Sequence, residues 1–177
     1  PSFVDAAAER PDVPNWYLEQ GVDAVAYSGG KCLRGPQASG LVLGRKPLLE
    51  TAFLHGAPHH SLGRPMKVGK EEIMGLLAAV EQWVERDHPA EWQEWESWLG
   101  LIAGVMTAHA SVTTSIRQPG RSNVAPVLEV NWDPEVLGLS GTEVEAQLSA
   151  GAPRIEVFSN PNGISVMPYM MEAGEAK

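Results

Sequence analysis

One cysteine, Cys32, stands in 177 residues. That excludes an intrachain disulfide and a cysteine-rich zinc site, and it points to a reducing, cytoplasmic home. Long apolar runs are also missing, so no segment has the length of a membrane-spanning helix. The first residues, PSFVDAAAERP, lack the basic-then-apolar order of a signal peptide. Basic residues are few. Thirteen Lys and Arg face 22 Asp and Glu, a formal net charge of −9, and that argues against nucleic acid held on a general basic surface. No internal repeat or low-complexity stretch is present. What remains, 44% hydrophobic and 20% charged residues, is the composition of an ordinary globular chain.

Both ends read as cut, the first inside a strand and the last, EAGEAK, in what reads as the opening turn of a helix. The sequence therefore suggests the C-terminal part of a longer protein. Residues 2–7 read as a buried strand ending near Asp5. PDVPNWYLEQG reads as a helix with Pro14 early and Gly21 at its stop. VDAVAYS (22–28) and SGLVLGR (39–45) read as strands covered on both faces, and KPLLETAFLHG (46–56) as a short helix. Strand, crossover, strand is an α/β pattern. A loop over 57–70 is the expected domain boundary.

Beyond it, Ile73, Leu76, Leu77, Val80, Trp83 and Val84 recur at three and four, the stripe of an amphipathic helix. Pro89 breaks the run. Trp92, Trp95, Leu99, Ile102 and Met106 form a second stripe, and the two read as core packing between neighbouring helices. From residue 110 the pattern alternates: SVTTSIRQPG, APVLEVNWD, RIEVFS and GISVMPYM read as strands, and TEVEAQLSAG as a helix starting near Thr142. Residues 71–177 thus read as an α+β domain with a mostly antiparallel sheet.

The segment with chemical content is SGGKCLRGPQASG. Taken alone, a lysine in a glycine turn is most often a solvated loop residue. Here Ser28-Gly-Gly-Lys31 directly follows a buried strand, where open α/β sheets place ligands. Glycines let backbone approach a ligand and expose N–H groups to an anion. Asp5 ends an earlier strand 26 residues before Lys31, and one crossover brings two such strand ends to one sheet edge. An amine, a carboxylate and an anion-friendly turn meet the needs of pyridoxal phosphate.

VDAAAE, SGGKCLRGPQASGLVLGRK and GRPMKVGKEEIMGLLAAVE together resemble the fold-type-I pyridoxal-phosphate enzymes, in the branch of selenocysteine synthase and the D-glucosaminate-6-phosphate ammonia-lyase-like proteins. The resemblance covers most of residues 3–85 and is looser over 110–175. It implies residues 1–56 as the end of the cofactor-binding large domain of an aminotransferase-like α/β fold, 57–70 as a connecting loop, and 71–177 as a small α+β C-terminal domain, truncated at its end. It implies Lys31 as the Schiff-base lysine and proton-transferring base, Asp5 as partner of the ring nitrogen, and Ser28 as a phosphate contact. Arg34 is a candidate anion contact, to the cofactor phosphate or to a phosphorylated or carboxylate substrate. Arg64 is a candidate for the substrate carboxylate, with His60 as a further substrate contact. His59 and His60 have no third ligand at metal spacing, Lys67 and Lys70 read as surface charges, and Cys32 reads as a small buried side chain. The phosphate loop and ring-stacking residue of such enzymes have no counterpart in residues 1–177.

The expected function is α,β-elimination of ammonia-lyase type on an amino acid or amino sugar acid. Aminotransferase and selenocysteine-synthase-like transferase chemistry are the alternatives, and a non-catalytic interaction module is a third. A homodimer or larger homo-oligomer is implied, with no membrane and no nucleic acid as partner.

Overall fold

The apolar runs around the lysine segment form a three-stranded sheet in the computed structural model, which describes residues 1–121 and 124–177. β1 (Phe3–Asp5), β2 (Ala24–Ser28) and β3 (Gly40–Gly44) lie side by side in that order. β1 and β2 are parallel, with Phe3 opposite Ala24 and Asp5 opposite Ala26. β3 returns antiparallel, with Ser28 opposite Gly40. β2 is central and carries the buried Ala24, Val25 and Tyr27.

The flanking strands are less covered than the sequence suggests. Phe3 is 63% exposed and Val42 45% exposed, so β1 and β3 are not strands buried on both faces. The crossover between β1 and β2 holds only a four-residue helix, α1 (Trp16–Glu19). Pro14 precedes its cap instead of lying in its first turn. The cap is Asn15, whose side-chain oxygen accepts from Leu18 N–H. The Asn15 amide also donates to the buried Tyr27 hydroxyl at 2.7 Å, so this buried polar pair is satisfied. α2 (Lys46–His55) follows β3 and ends at Gly56, as read from sequence.

The packing divides into two compact units, residues 1–86 with Arg121 and Val124, and residues 87–120 with 125–177. The break follows α3 (Lys70–Glu85) and not the loop before it, where the sequence places a boundary. The reason is the stripe on α3. Leu76, Val80 and Trp83 pack with Val25, Tyr27 and Leu33, and the Trp83 indole N–H donates to Pro11 O at 3.0 Å. The rest of that stripe does not reach a core: Ile73, Leu77 and Val84 are exposed. In the same unit Arg121 lies over the Trp16 and Tyr17 rings at 4.0 and 4.8 Å and bonds Glu9 at 3.1 Å.

The second unit begins with α4 (His88–Met106). Asp87 caps it by accepting from Ala90 N–H, and Pro89 sits in its first turn, where a missing N–H costs nothing. β4 (Val112–Arg117), β5 (Val127–Trp132), β6 (Phe158–Asn160) and β7 (Gly163–Val166) form an antiparallel sheet in the order β4-β5-β7-β6. Its core joins Leu99 of α4 to Leu128, Val130, Trp132 and Ile164. Leu99, Ile102 and Met106 of the α4 stripe thus pack on this sheet, and Trp95 lies against Tyr169. α5 (Pro134–Leu137), which the sequence reading lacks, is capped by Asp133. α6 (Gly141–Ser149) starts one residue before Thr142 with a Ser140–Glu143 capping box. Of RIEVFS only the end pairs, as β6, and the final EAGEAK forms turns, not a helix.

Candidate functional site

Two parallel strands that end together create an edge where loop residues from both converge. β1 ends at Asp5 and β2 at Ser28. Asp5 stands opposite Ala26, two residues short of Ser28. Past the end of β1 the two segments stay paired: Ala6 N–H donates to Ala26 O at 2.9 Å and Ser28 N–H to Ala7 O at 3.3 Å. Asp5 Oδ1 accepts from Ala7 N–H at 3.0 Å, which fixes one carboxylate oxygen against its own turn. Lys31 follows Ser28 in a turn whose next residues, Cys32 and Leu33, are buried. They anchor the turn in the core beneath the sheet edge, and Lys31 itself is exposed. Asp5, Ser28 and Lys31 therefore occupy one carboxyl edge.

The glycines serve a different purpose from the one read in the sequence. Gly29 N–H is not offered to an anion; it donates to Ser39 O at 2.9 Å. Neither Gly29 nor Gly30 has a positive φ. They are needed because the following loop crosses over them. A Cβ on Gly29 would collide with Ser39 Oγ, and one on Gly30 would lie 2.6 Å from Gln37 Oε1 and 2.8 Å from Gln37 Cα. Gln37 and Ser39 are thus structural partners of the turn. The adjacent Gly-Gly, which needs something packed against it, was the available signal.

Arg34 is the only described non-glycine residue with a positive φ, 58°. Its N–H donates to Lys31 O at 2.9 Å. A side chain held in the left-handed region costs of order 1 kcal/mol, and such residues cluster at ligand sites. Arg64 and His60 sit on a separate loop, between α2 and α3. Arg64 opens a 3₁₀ turn, Arg64–Met66, and its Nη1 donates to Pro58 O at 3.0 Å. His60 is exposed. Cys32 Sγ donates to Ala8 O at 3.4 Å, and burial pushes its thiol above the ordinary range, which suits a packed side chain and not a nucleophile. A groove of about 290 Å³ lies between β3 and α3, lined by Leu41, Val68, Ile73, Leu76 and Leu77 with Glu72 as its one charge. That lining does not suit an anionic cofactor. Among the described residues no cluster of His, Cys, Asp and Glu has the arrangement of a metal site.

A primary amine, a carboxylate and a hydroxyl at the carboxyl edge of a parallel strand pair are groups that a pyridoxal-phosphate site needs, and in sequence and fold the chain is similar to fold-type-I pyridoxal-phosphate enzymes. Residues 7–94 match the family of L-seryl-tRNA selenium transferase. Over 151 residues the chain is 33% identical to the D-glucosaminate-6-phosphate ammonia lyase of Salmonella typhimurium, covering 85% of this chain and 38% of that protein. It is 34% identical over 158 residues to the 5'-C-glycyluridine monooxygenase-decarboxylase of a Streptomyces species, covering 88% and 37%. A solved D-glucosaminate-6-phosphate ammonia-lyase structure superimposes with a TM-score of 0.69 at 29% identity, over 99% of this chain and 46% of that one. The chain thus spans less than half the length of these relatives.

Proposed function

We propose that the protein binds pyridoxal phosphate covalently at Lys31 and catalyses α,β-elimination on an amino acid or amino sugar acid. The observation that carries this reading is the shared edge of Asp5, Ser28 and Lys31, with Asp5 and Ala26 in register on parallel strands. The similarity to an ammonia lyase over most of the chain supports the reaction class.

When bound, pyridoxal phosphate supplies an electron sink for the substrate α-carbon. Asp5 would hold a proton at the ring nitrogen, using the carboxylate oxygen not engaged by Ala7. Ser28 and Arg34 would contact the phosphate. Lys31 Nζ, released once the substrate's own amine has replaced it on the cofactor, would take the α-proton. Loss of the β-substituent with its electron pair, protonated as it departs, and hydrolysis of the remaining product would release ammonia and an α-keto acid. Arg64 and His60 would contact the substrate's anionic groups. We further place the active protein in the cytoplasm as a homodimer or a multiple of it, since sites of this fold are usually completed across a two-fold interface. Sedimentation of an active monomer at micromolar concentration would contradict that assembly.

The test is a screen of the full-length protein against amino acids and phosphorylated amino-sugar acids. Keto acid and ammonia without an acceptor support elimination. Keto acid only when an acceptor is present means transamination and refutes the first reading. The match of residues 7–94 to the selenium transferase family favours a second reading, transfer on seryl-tRNA. A net charge of −9 opposes it, and a mobility shift with serine-charged tRNA decides it. A full-length protein that stays colourless with added cofactor would support a non-catalytic module.

A further inference from the structure

The loop after Lys31 folds back over the turn that carries it. Gly29 N–H donates to Ser39 O at 2.9 Å, and Gly35 N–H donates to Gly29 O at 2.7 Å. These are backbone bonds, open to many sequences. A third bond depends on one side chain: Gln37 Nε2 donates to Gly30 O at 3.2 Å. That carbonyl belongs to the peptide unit that supplies the Lys31 nitrogen. The missing side chain at Gly30 makes room for Gln37, since a Cβ there would meet Gln37 Oε1 and Cα. On the far side Ser39 Oγ donates to Pro36 O at 2.6 Å, holding the returning loop in shape.

We propose that Gln37 is a positioning residue for Lys31: its amide fixes the Gly30–Lys31 peptide and thereby the direction in which the lysine leaves the backbone. The proposal rests on the reading of Lys31 as the attachment point. A lysine stem has several rotatable bonds, so the region its Nζ samples depends on how firmly the backbone beneath it is held. Gln37 is exposed, so its bond adds little to global stability, and its loss acts on the turn rather than the fold.

The test uses the full-length protein with Gln37→Glu, which keeps the size and loses the donor, and Gln37→Ala. Pyridoxal phosphate is titrated by visible absorbance, its induced circular dichroism is recorded at saturation, and borohydride-trapped label is mapped by peptide mass. Thermal midpoints are measured without cofactor. We expect unchanged midpoints, about three- to tenfold weaker binding, the range of one net hydrogen bond, loss of circular dichroism per bound cofactor, and label spreading from Lys31 to other lysines. Native affinity and dichroism in Gln37→Glu would overturn the proposal. A marked fall in its thermal midpoint would also overturn it, because Gln37 would then be a residue of the fold. Absence of label at Lys31 in the unsubstituted protein would refute the attachment reading itself, and that outcome is seen before any variant is made.

Discussion

Gly29 N–H donates to the carbonyl of Ser39 at 2.9 Å, which closes the lysine turn with the loop that follows it. The same contact dictates glycine at 29. A Cβ there would collide with Ser39 Oγ and lie 3.0 Å from Leu76 Cδ1. Gly29→Ala should therefore destabilise the first unit by about 1–3 kcal/mol, as overpacking does. Thermal or urea unfolding reads this, and a variant of native stability would mean the turn is looser than the geometry indicates.

At Arg34 stability and binding oppose each other. Its φ of 58° suits glycine, so Arg34→Gly should relieve of order 1 kcal/mol of backbone strain. The same change removes the guanidinium assigned to the cofactor phosphate. The expected outcome is a thermal midpoint equal or higher and weaker pyridoxal-phosphate binding, measured by calorimetry and absorbance titration. Unweakened binding would remove Arg34 from the phosphate site.

Asp5→Asn isolates the charge from the turn. Asparagine keeps a side-chain oxygen to accept Ala7 N–H, as Asp5 Oδ1 does at 3.0 Å, so the edge should hold its shape. The cofactor should remain bound while turnover falls by orders of magnitude, because a neutral amide does not keep the ring nitrogen protonated. An unchanged rate would take Asp5 out of the mechanism.

Burial pushes the Cys32 thiol and the Tyr27 hydroxyl above their ordinary pKa values. For both, the folded state favours the protonated form. Their contribution to stability is complete below the unfolded pKa values, near 9.0 for the thiol and 10.0 for the hydroxyl, and is lost as pH rises through the folded values. The first unit should thus weaken in alkali above about pH 9. Cys32 should resist alkylation at pH 8 until denaturant is added. Fast native-state alkylation would show that the turn opens.

The strands and long helices were legible because their signals are local. The apolar run of VDAVAYS and the three-four spacing on α4 each name one element. Asp5 and Lys31 were linked by chain logic alone, since a crossover sets two strand ends on one edge, and the ladder of β1 and β2 has that form. Less legible was everything decided by what packs on what. Ile73 and Leu77 fit the stripe of α3 yet stay exposed, because Leu76, Val80 and Trp83 meet the sheet core on a narrower face. The purpose of Gly29 and Gly30 was hidden for the same reason: glycine suits a ligand approach and a backbone crossing equally, and only the position of Ser39 and Gln37 separates them.

The most direct measurement is borohydride reduction of the full-length protein with pyridoxal phosphate, followed by peptide mass mapping. The account predicts one phosphopyridoxyl label, on Lys31, absent in Lys31→Ala together with the visible absorbance. Stoichiometric label on another lysine, such as Lys46 or Lys67, or undiminished labelling in Lys31→Ala, would contradict it.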